Sequence, residues 1–446
     1  MRYILSGEIT TQKIKDIVNN WRSNPQQYNK LKNQWNYYSG NQKILRKRYN
    51  DPCKPCNKIV TNFCHQITEQ YQGYCVGIPV TYTVDRLIRD FLNYNDVNDK
   101  DSLLLRNALI YGKSFELQFI DEDKKNRFEI IDTLNGIDIY DDELQKDELK
   151  AFIYFYAKDN YMPWKLSPKY CDVYTVNEII HYTVSPDFQI FEETGRERHF
   201  FNQVPVVVLE LNNDIEGIFN QIISLQDAYN TLISSEIDDW EAFVDAYLVL
   251  ANCSATKEQI QEMKEKRVIT LPDNNASAQF LTKQVNDSQI KDLLEAIRDR
   301  IYEISDSPNY LDMSFSTSSG VALEWKQQGF NNSVKSIMNR MERALRKRIE
   351  LFEGIEKIKG TEDFAEVRIE FTPNLPTNSL DIANMIEKYK GLVSTRTLLS
   401  QIPFVTDVDR ELELLKKEQE ESANNNSSLN TEDNSSNLTN EDETRV

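Results

Sequence analysis

The stretch that decides the fold is residues 285–352, which read VNDSQIKDLLEAIRDRIYEISDSPNYLDMSFSTSSGVALEWKQQGFNNSVKSIMNRMERALRKRIELF. Apolar residues recur at three- and four-residue spacing in its first part and again from Val321 to Phe352, which predicts two amphipathic helices. A polar break from Ser305 to Gly320 separates them, because Pro308 and a run of Ser and Thr favour turns over helix. The first apolar stripe consists of Ile290, Leu293, Leu294, Ile297, Ile301 and Ile304.

Another long helix is predicted before this stretch, from Ile215 to Val244, with an apolar face and an acidic polar side that includes Asp227 and Asp238. A compact insert lies between this helix and the one that starts near Val285. Its pattern predicts strand Tyr247–Ala251, helix Thr256–Lys266, and strands Val268–Leu271 and Ala278–Thr282.

Residues 1–213 predict one α+β domain with a mostly antiparallel sheet. A strand at Val367–Thr372 is expected to return to that domain, and short helices follow at Leu380–Leu392, Thr395–Gln401 and Asp407–Gln419. From Glu421 to Val446 the chain consists mainly of Asn, Ser and acidic residues, which predicts a disordered tail. The predicted strands of the first domain are Val80–Val84, Ser114–Ile120, Arg127–Ile131, Ala151–Ala157, Asp172–Val176 and Val204–Leu211.

Composition narrows the class of protein. The 446 residues are 40% hydrophobic and 28% charged, with a net charge of −19. Such an acidic chain is unsuited to gripping nucleic acid along a broad surface, because neutralising phosphates requires clustered Lys and Arg. No apolar run approaches the ~18 residues that cross a bilayer, and the first residues lack a signal-peptide core, so we expect an intracellular protein without membrane contact.

The cysteines and the few catalytic-looking motifs predict neither a metal site nor an enzyme. Cys53 and Cys56 resemble half of a zinc site, but no second close pair follows them, so ordinary reduced thiols are expected. Gly112-Lys113-Ser114 resembles the end of a phosphate-binding loop, yet a helical pattern precedes it and a strand pattern follows, which favours a helix-to-strand turn. The dense carboxylate groups fall in predicted turns and are interpreted as solvated surface.

One run of the chain is especially rich in basic residues. Lys335 to Arg348 carries six of them, but they do not share one stripe of the helix, so packing and subunit contacts are favoured over a DNA-binding surface for many of these side chains. Lys283, Lys291 and Arg298 are the better candidates for contact with DNA, because they lie at or near a helix whose apolar side must be buried.

Several blocks, in this order, resemble the portal proteins (head–tail connectors) of tailed double-stranded DNA bacteriophages, in the branch of long-tailed phages of Gram-positive bacteria. The resemblance spans roughly Trp35 to Leu351, and the Cys53/Cys56 pair departs from it. The blocks are Tyr37–Gly40 (YYSG), Asn57–Val60 (NKIV), Gly73–Val80 (GYCVGIPV), Ser224–Asn230 (SLQDAYN), Asp245–Leu250 (DAYLVL) and Ser318–Leu323 (SSGVAL).

The resemblance implies a helix-rich α+β subunit with the portal architecture of wing, paired stem helices, small α/β clip, tunnel loop and helical crown, assembled into a ring with twelve copies as the expected number. The implied regions are an N-terminal wing part at 1–213, a stem helix at 214–246, the clip at 247–284, the second stem helix at 285–304, the tunnel loop at 305–320, a long wing helix with a returning strand at 321–373, the crown at 374–420 and the acidic tail at 421–446.

The implied function is a non-enzymatic, cofactor-free DNA channel at one capsid vertex. It would assemble in the host cytoplasm and act with the terminase large subunit, a head–tail adaptor, the scaffold and the major capsid protein. Trp240 and Ile297 would make subunit contacts in the stem. The residues implied to face DNA in the tunnel loop are Ser314, Phe315, Ser316, Thr317, Ser318 and Ser319.

Two other classes stay open at this point. One is a different head–tail connector or adaptor ring, although such proteins are typically much shorter. The other is a nucleic-acid-processing enzyme that uses Gly112-Lys113-Ser114 or the carboxylates, and hydrolysis of ATP or cleavage of DNA by the purified protein would favour it.

Overall fold

The structure is a computed structural model, and it divides into two compact units, Met1–Asn374 and Leu375–Val446. Each unit is described by itself. In the described part of the chain, no helix is both long enough and apolar enough to cross a bilayer. The described residues are 2–24, 27–49, 54–142, 149–157, 169–244, 247–251, 256, 277–281, 287–309, 320–360, 366–374, 379–400, 402, 405, 408 and 410–418.

Most helices of the first unit bury an apolar face, as their periodic apolar spacing requires. In the first of them, Ile14, Val18 and Trp21 are buried, and the Thr10 side chain caps the start by accepting from the Lys13 N–H. The α-helices are α1 (Thr11–Ser23), α2 (Tyr28–Tyr38), α3 (Phe63–Val76), α4 (Arg86–Tyr94), α5 (Val97–Tyr111), α6 (Ile223–Val244), α7 (Asp287–Ile304), α8 (Gly320–Ile358), α9 (Ser379–Tyr389) and α10 (Thr395–Leu399).

The strands form two larger sheets and two short ladders. One sheet has the order β1-β5-β6-β7-β8-β9 and is antiparallel except for the parallel β1–β5 pair, and the other has the order β10-β3-β4. The strands are β1 (Tyr3–Ile4), β2 (Thr81–Thr83), β3 (Lys113–Ile120), β4 (Asn126–Ile131), β5 (Gly136–Tyr140), β6 (Leu149–Tyr156), β7 (Lys169–Tyr174), β8 (Glu178–Val184), β9 (Phe191–Arg198), β10 (Val206–Glu210), β11 (Tyr247–Ala251), β12 (Ser277–Leu281) and β13 (Arg368–Glu370).

The first domain therefore contains two sheets where the sequence predicted one. All six predicted strands are present within a few residues, but β1, β5, β8 and β9 were missed. Strand β9, FEETGRER, lies at the edge of its sheet and is mostly exposed, so it shows no apolar alternation that a pattern search could find.

The later elements agree with the sequence in kind. Strands β11 and β12 of the insert pair antiparallel. The helix Thr256–Lys266 and the strand Val268–Leu271, which were predicted between them, lie outside the described residues except for Thr256. Strand β13 returns to the first domain and pairs with β2, separately from the two larger sheets. In the second unit, α9 and α10 occur where helices were predicted, and residues 410–418 are also helical.

Helix α6 begins later than predicted, at Ile223 instead of Ile215. Ile215 has a positive φ of 53°, which a helix does not accept. The following turn packs tightly against the end of α5: a Cβ on Gly217 would lie 2.1 Å from the Ile110 carbonyl oxygen, and the Ile218 N–H donates to the Leu109 carbonyl at 2.8 Å. This close passage requires glycine and delays the helix.

Helix α8 is continuous over 39 residues, and Gly329, a poor helix former, does not interrupt it. The buried side of α8 includes one charged residue, Arg348, which is fully buried. Its guanidinium donates to both oxygens of the Glu116 carboxylate and, at 2.6 Å, to the Asp101 carboxylate. The ring of Phe128 lies 4.3 Å from the guanidinium carbon. Burial alone would lower the pKa of Arg348, but Asp101 and Glu116 hold that pKa well above its usual value. The cluster joins α8 to α5 and β3.

Candidate functional site

The two helices predicted to stand side by side, α6 and α7, pack against each other, and together they are the helix pair. Phe63, the first residue of α3, lies edge-on to an aromatic ring on each of them. Its ring centroid is 5.1 Å from that of Tyr229 on α6 and 6.0 Å from that of Tyr302 on α7, with interplanar angles of 87° and 85°. Edge-to-face contacts of this kind stabilise aromatic clusters, so Phe63 helps to hold both helices on the first domain.

The two residues predicted to contact neighbouring subunits differ in environment. Trp240 lies near the end of α6 and is 56% exposed in this single chain, so its indole is available to another molecule. Ile297 on α7 is half-buried and packs against the main hydrophobic core of its own chain. Ile297 therefore already has a partner, and Trp240 is the cleaner candidate for a contact between subunits.

The basic candidates on α7 lie on one face. Lys291 is exposed and Arg298 is about one-third exposed, and seven residues of helix separate them, a rise of about 10.5 Å. The Arg298 guanidinium lies 3.2 Å from the Asp299 carboxylate. Lys283 and the loop residues Ser314–Ser319 lie outside the described residues.

The polar side of α6 is occupied by the chain itself. Residues 57–63, here called the strap, run along this helix and point backbone N–H groups at it. Four α6 side chains accept these hydrogen bonds: Asp238 from Asn57 at 2.6 Å, Ser234 from Ile59 at 3.0 Å, Asn230 from Thr61 at 2.9 Å and Gln226 from Phe63 at 3.0 Å.

The spacing explains why the match is so regular. Every second residue of the strap pairs with every fourth residue of α6. Two residues of extended chain advance about 6.6 Å and four residues of helix advance about 6 Å, so the donors and acceptors stay level over all four pairs. All four acceptor side chains are buried, and each satisfies a backbone N–H of the strap.

Asp238 is the charged end of this ladder. Its carboxylate also accepts from the Lys47 ammonium at 2.7 Å and from the Asn57 side-chain amide at 3.0 Å. Burial opposes the ionised form, but the hydrogen bonds from Asn57 together with the Lys47 charge hold the pKa of Asp238 below its usual value. The carboxylate therefore stays charged inside the subunit.

The acidic side of α6, predicted from the sequence as the polar side of this helix, is partly covered by the chain itself. Asp238 is buried under the strap and Asp227 accepts a hydrogen bond from the Tyr37 hydroxyl at 2.7 Å. Polar residues four apart on one helix, Gln226, Asn230 and Ser234, were the signal that could have revealed the ladder. The signal is ambiguous because the same spacing also describes a solvated face.

Gly112-Lys113-Ser114 forms the predicted helix-to-strand turn. Gly112 ends α5 with a φ of 83°, and a Cβ there would lie 2.5 Å from the backbone of Ile215 and Glu216. The Lys113 ammonium is bonded to the buried Asp138 carboxylate, and the Ser114 hydroxyl donates to the Leu104 carbonyl at 2.7 Å. Neither side chain is free to hold a phosphate, so this is not a nucleotide site.

The cysteines of the described residues are separate buried or half-buried thiols. Burial raises the pKa of both Cys64 and Cys75 to about 12, which keeps them protonated and unreactive. Cys56 donates to the Lys47 carbonyl oxygen at 3.6 Å, and Cys53 lies outside the described residues. Within the part of the chain that the structure describes, no three His, Cys, Asp or Glu side chains are grouped as metal ligands.

Known proteins match this chain along most of its length. It is 23% identical over 418 residues to the portal protein of Clostridium phage phiCD119, covering 86% of this chain and 91% of that protein. It is 24% identical over 395 residues to the portal protein of Bacillus phage SPP1, covering 82% of this chain and 77% of that protein.

Among solved structures, a chain from the neck of an empty GTA particle is similar with a TM-score of 0.46 at 10% identity, covering 74% of this chain and 86% of that chain. The sequence profile of the family described as "Phage portal protein, SPP1 Gp6-like" matches residues 19–425. A match of that extent confirms the predicted family. The chain therefore belongs to the phage portal protein family.

Proposed function

We propose that this portal protein forms a ring with a central DNA channel at one capsid vertex, with twelve copies as the expected number. The observation that carries the proposal is the packed pair of long helices α6 and α7, within a chain that the portal family matches over residues 19–425. Two helices that share one packed face and keep a second face exposed suit the wall of a pore. The exposed face would meet water and DNA.

We assign the regions as follows. The wing comprises residues 1–213 and 321–373, and the stem comprises 214–246 and 285–304. The clip is 247–284, the tunnel loop 305–320, the crown 374–420 and the acidic tail 421–446. The order of α6, the β11–β12 hairpin and α7 along the chain supports the stem and clip assignment, because a hairpin between two packed helices projects from one end of the pair.

The charge of the protein supports transport of DNA over tight binding. Affinity for duplex DNA depends on how many phosphates are neutralised by Lys and Arg, and this chain carries a net charge of −19. Lys291 and Arg298 would give the channel wall isolated positive charges, with Lys283 nearby. Such sparse charges would orient a moving duplex without stopping it.

The proposed role is packaging, retention and release of the genome and joining of head to tail, in a virion assembled in the host cytoplasm. The partners would be the terminase large subunit, the head–tail adaptor, the scaffold and the major capsid protein. We assign no enzymatic step to this chain and no cofactor. The absence of a free phosphate-binding side chain at Lys113 and Ser114 supports leaving ATP hydrolysis to the motor.

The loop assignment is tested by shortening residues 314–319 in the phage. Rings should still form, because residues 314–319 belong to neither α6 nor α7, while DNA packaging or retention should fall. Packaged genome per particle and infectivity are the measurements. Normal genome retention and infectivity would refute the assignment of Ser314–Ser319 to the channel.

The stem assignment is tested with Trp240→Asp. In a ring, the exposed indole would be buried by a neighbour, and burial of an aromatic side chain contributes about 1.5–3 kcal/mol at each contact. We expect the variant to remain folded and to lose the ring, as measured by mass photometry. Phe200→Asp is the matched control, because Phe200 is 62% exposed on another part of the subunit. An unchanged oligomer mass for Trp240→Asp would refute the assignment.

Ile297→Asp, the other substitution that the sequence suggests, is the less informative test. Ile297 packs against the core of its own chain, so the charged variant should destabilise the subunit before any ring contact is reached. A circular-dichroism melt of the monomer would separate the two effects.

A further inference from the structure

A cleft of about 450 Å³ opens between strand β10 and helix α8, away from the helix pair. Helix α8 contacts β10, and the buried Ala344 lines the cleft together with longer side chains of α8. Pockets of this size typically hold a small molecule or a few residues of a peptide. The helix and the strand that line it are both well packed, so the cleft is a fixed feature of the subunit.

The cleft is positively charged in an acidic protein. Five basic side chains line it, against two carboxylates, Glu210 and Glu350, whereas the whole chain carries a net charge of −19. The basic residues are Arg2, Arg340, Arg343, Arg346 and Lys347. Positive charges in a cleft with low-dielectric walls concentrate the electrostatic field there, so the cleft attracts anions although the protein as a whole is acidic.

Two of these basic side chains, Arg340 and Arg343, have no acidic partner in the described part of the chain. Arg343 is exposed, and among the described residues it has neither an ion pair nor a hydrogen bond. Arg340 donates to a neutral group, the Asn213 side-chain oxygen, at 2.7 Å. The two positions are three apart on α8, so both guanidinium groups lie on one face of the helix.

The other end of the cleft shows which chemical group an arginine of this cleft binds. Arg2 holds the Glu210 carboxylate with two hydrogen bonds, of 2.9 and 2.6 Å, and its guanidinium lies 4.8 Å from the centre of the Tyr140 ring. A planar guanidinium and a carboxylate match in this bidentate way. Arg340 and Arg343 are the same kind of group without a carboxylate partner in the described chain.

The floor is apolar. Val206 and Val208 point from β10 into the cleft, with Leu149 beside them. Val206 belongs to a hydrophobic cluster that joins the two sheets, and Val208 and Leu149 pack on that cluster. A ligand that fills the cleft therefore needs an apolar group for the floor as well as negative charges for the rim.

We propose that this cleft binds an acidic segment of a partner polypeptide, in which Asp or Glu residues flank an aliphatic or aromatic side chain. Peptide carboxylates would pair with Arg340 and Arg343, and the apolar side chain would cover Val206 and Val208. Duplex DNA fits less well, because its phosphates lie on a convex surface and it has no apolar group to place on a recessed floor. The proposal concerns a cleft lined by no residue of the helix pair and is independent of the channel.

The test is an array of seven-residue peptides, each with Glu at every position but one and with Leu, Phe or Ala at the remaining position, probed with the purified full-length protein. We expect the Leu and Phe peptides to bind more tightly than the Ala peptides. Arg343→Glu should weaken the best peptide at least tenfold in fluorescence anisotropy. Arg86→Glu is the matched control: Arg86 is 92% exposed on α4, outside the cleft, and should leave binding unchanged.

Three results would overturn the proposal. One is no saturable binding of any peptide by the unmodified protein. Another is equal weakening by Arg343→Glu and Arg86→Glu, which would indicate attraction by overall charge. The third is stronger, Arg343-dependent binding of a short DNA duplex or of inorganic phosphate, which would assign the cleft to nucleic acid or a simple anion. A loss of oligomer mass in Arg343→Glu without peptide binding would instead assign it to a second copy of the chain.

Discussion

Arg348 is the residue whose environment departs furthest from that of an ordinary basic side chain. It lies in the most basic part of α8, yet none of its surface reaches solvent, and it neutralises two buried carboxylates, Glu116 and Asp101. Tyr82 adds a hydrogen bond from its hydroxyl to Asp101 at 2.6 Å. The cluster contains more negative than positive charge, so removing Arg348 would leave two carboxylates in the core without a cation.

Arg348→Ala should therefore be strongly destabilising. Breaking a buried ion pair from one side costs about 3–5 kcal/mol, because the partner charge stays buried. Urea unfolding followed by tryptophan fluorescence measures the change. The matched control is Arg346→Ala, two residues away on the same helix, where a half-exposed guanidinium pairs with Glu342 at 2.7 Å. That change should cost less than about 1 kcal/mol. Equal losses in the two variants would contradict the structural role of Arg348.

At the scale of elements, the ladder between the strap and α6 is a main connection between the first domain and the helix pair. Asn230 is its central residue: Oδ1 accepts from the Thr61 N–H at 2.9 Å, and the amide donates to the Gln42 side chain at 2.5 Å. Its neighbour Thr231 is exposed and bonds only within the helix, to the Asp227 carbonyl at 2.7 Å.

Asn230→Ala should loosen the strap, because the Thr61 N–H would lose its acceptor in a buried place, at a cost of about 1–3 kcal/mol. Hydrogen exchange should become faster at the amides of residues 57–63, and Thr61 should show the largest change. Thr231→Ala, at the neighbouring exposed position, should leave this exchange pattern unchanged. Unaltered protection of Thr61 in Asn230→Ala would show that the ladder does not hold the strap.

The same elements show what sequence alone could predict. The long helices were found because each carries a continuous apolar stripe, and α8 extends from Gly320 to Ile358 where a helix from Val321 to Phe352 was expected. The ladder was missed because its partners are far apart in sequence: Asn57 and Asp238 are separated by 181 positions. A polar side chain four residues from the next gives no indication of whether water or another segment will satisfy it.

The candidate site, like the fold, was only partly predictable from the sequence. Trp240 was identified from its place on an amphipathic helix, and its 56% exposure agrees with a free contact surface. Ile297 was identified by the same reasoning, and in the structure it is half-buried against the core of its own chain. Periodicity identifies an apolar face without saying which neighbour covers it. The cationic cleft was not foreseen, because Arg2, Glu210 and Arg343 come from three distant parts of the chain.

For the whole molecule, charge sets how the protein meets DNA. A chain of net charge −19 with isolated basic side chains on α7 should neutralise few phosphates at once. We expect the assembled protein to bind linear duplex DNA with a Kd no tighter than about 1 μM at about 150 mM salt, with a shallow dependence on salt. Fluorescence anisotropy over a salt series measures both quantities.

The paired variant for this measurement is Lys291→Glu with Arg298→Glu. It should weaken the remaining affinity slightly and flatten the salt dependence further, since each lost phosphate contact lowers the slope by about 0.9. Nanomolar binding by the unmodified protein would contradict a channel that lets DNA pass freely.

The strap has one mechanical consequence. A helix fastened along one side at four successive levels cannot roll about its own axis, because a small roll would stretch all four of its hydrogen bonds together. Torque applied to α6 must then be passed through the strap to the domain that carries it. The helix and that domain should therefore rotate together, and the subunit should respond to torque by tilting as one rigid body.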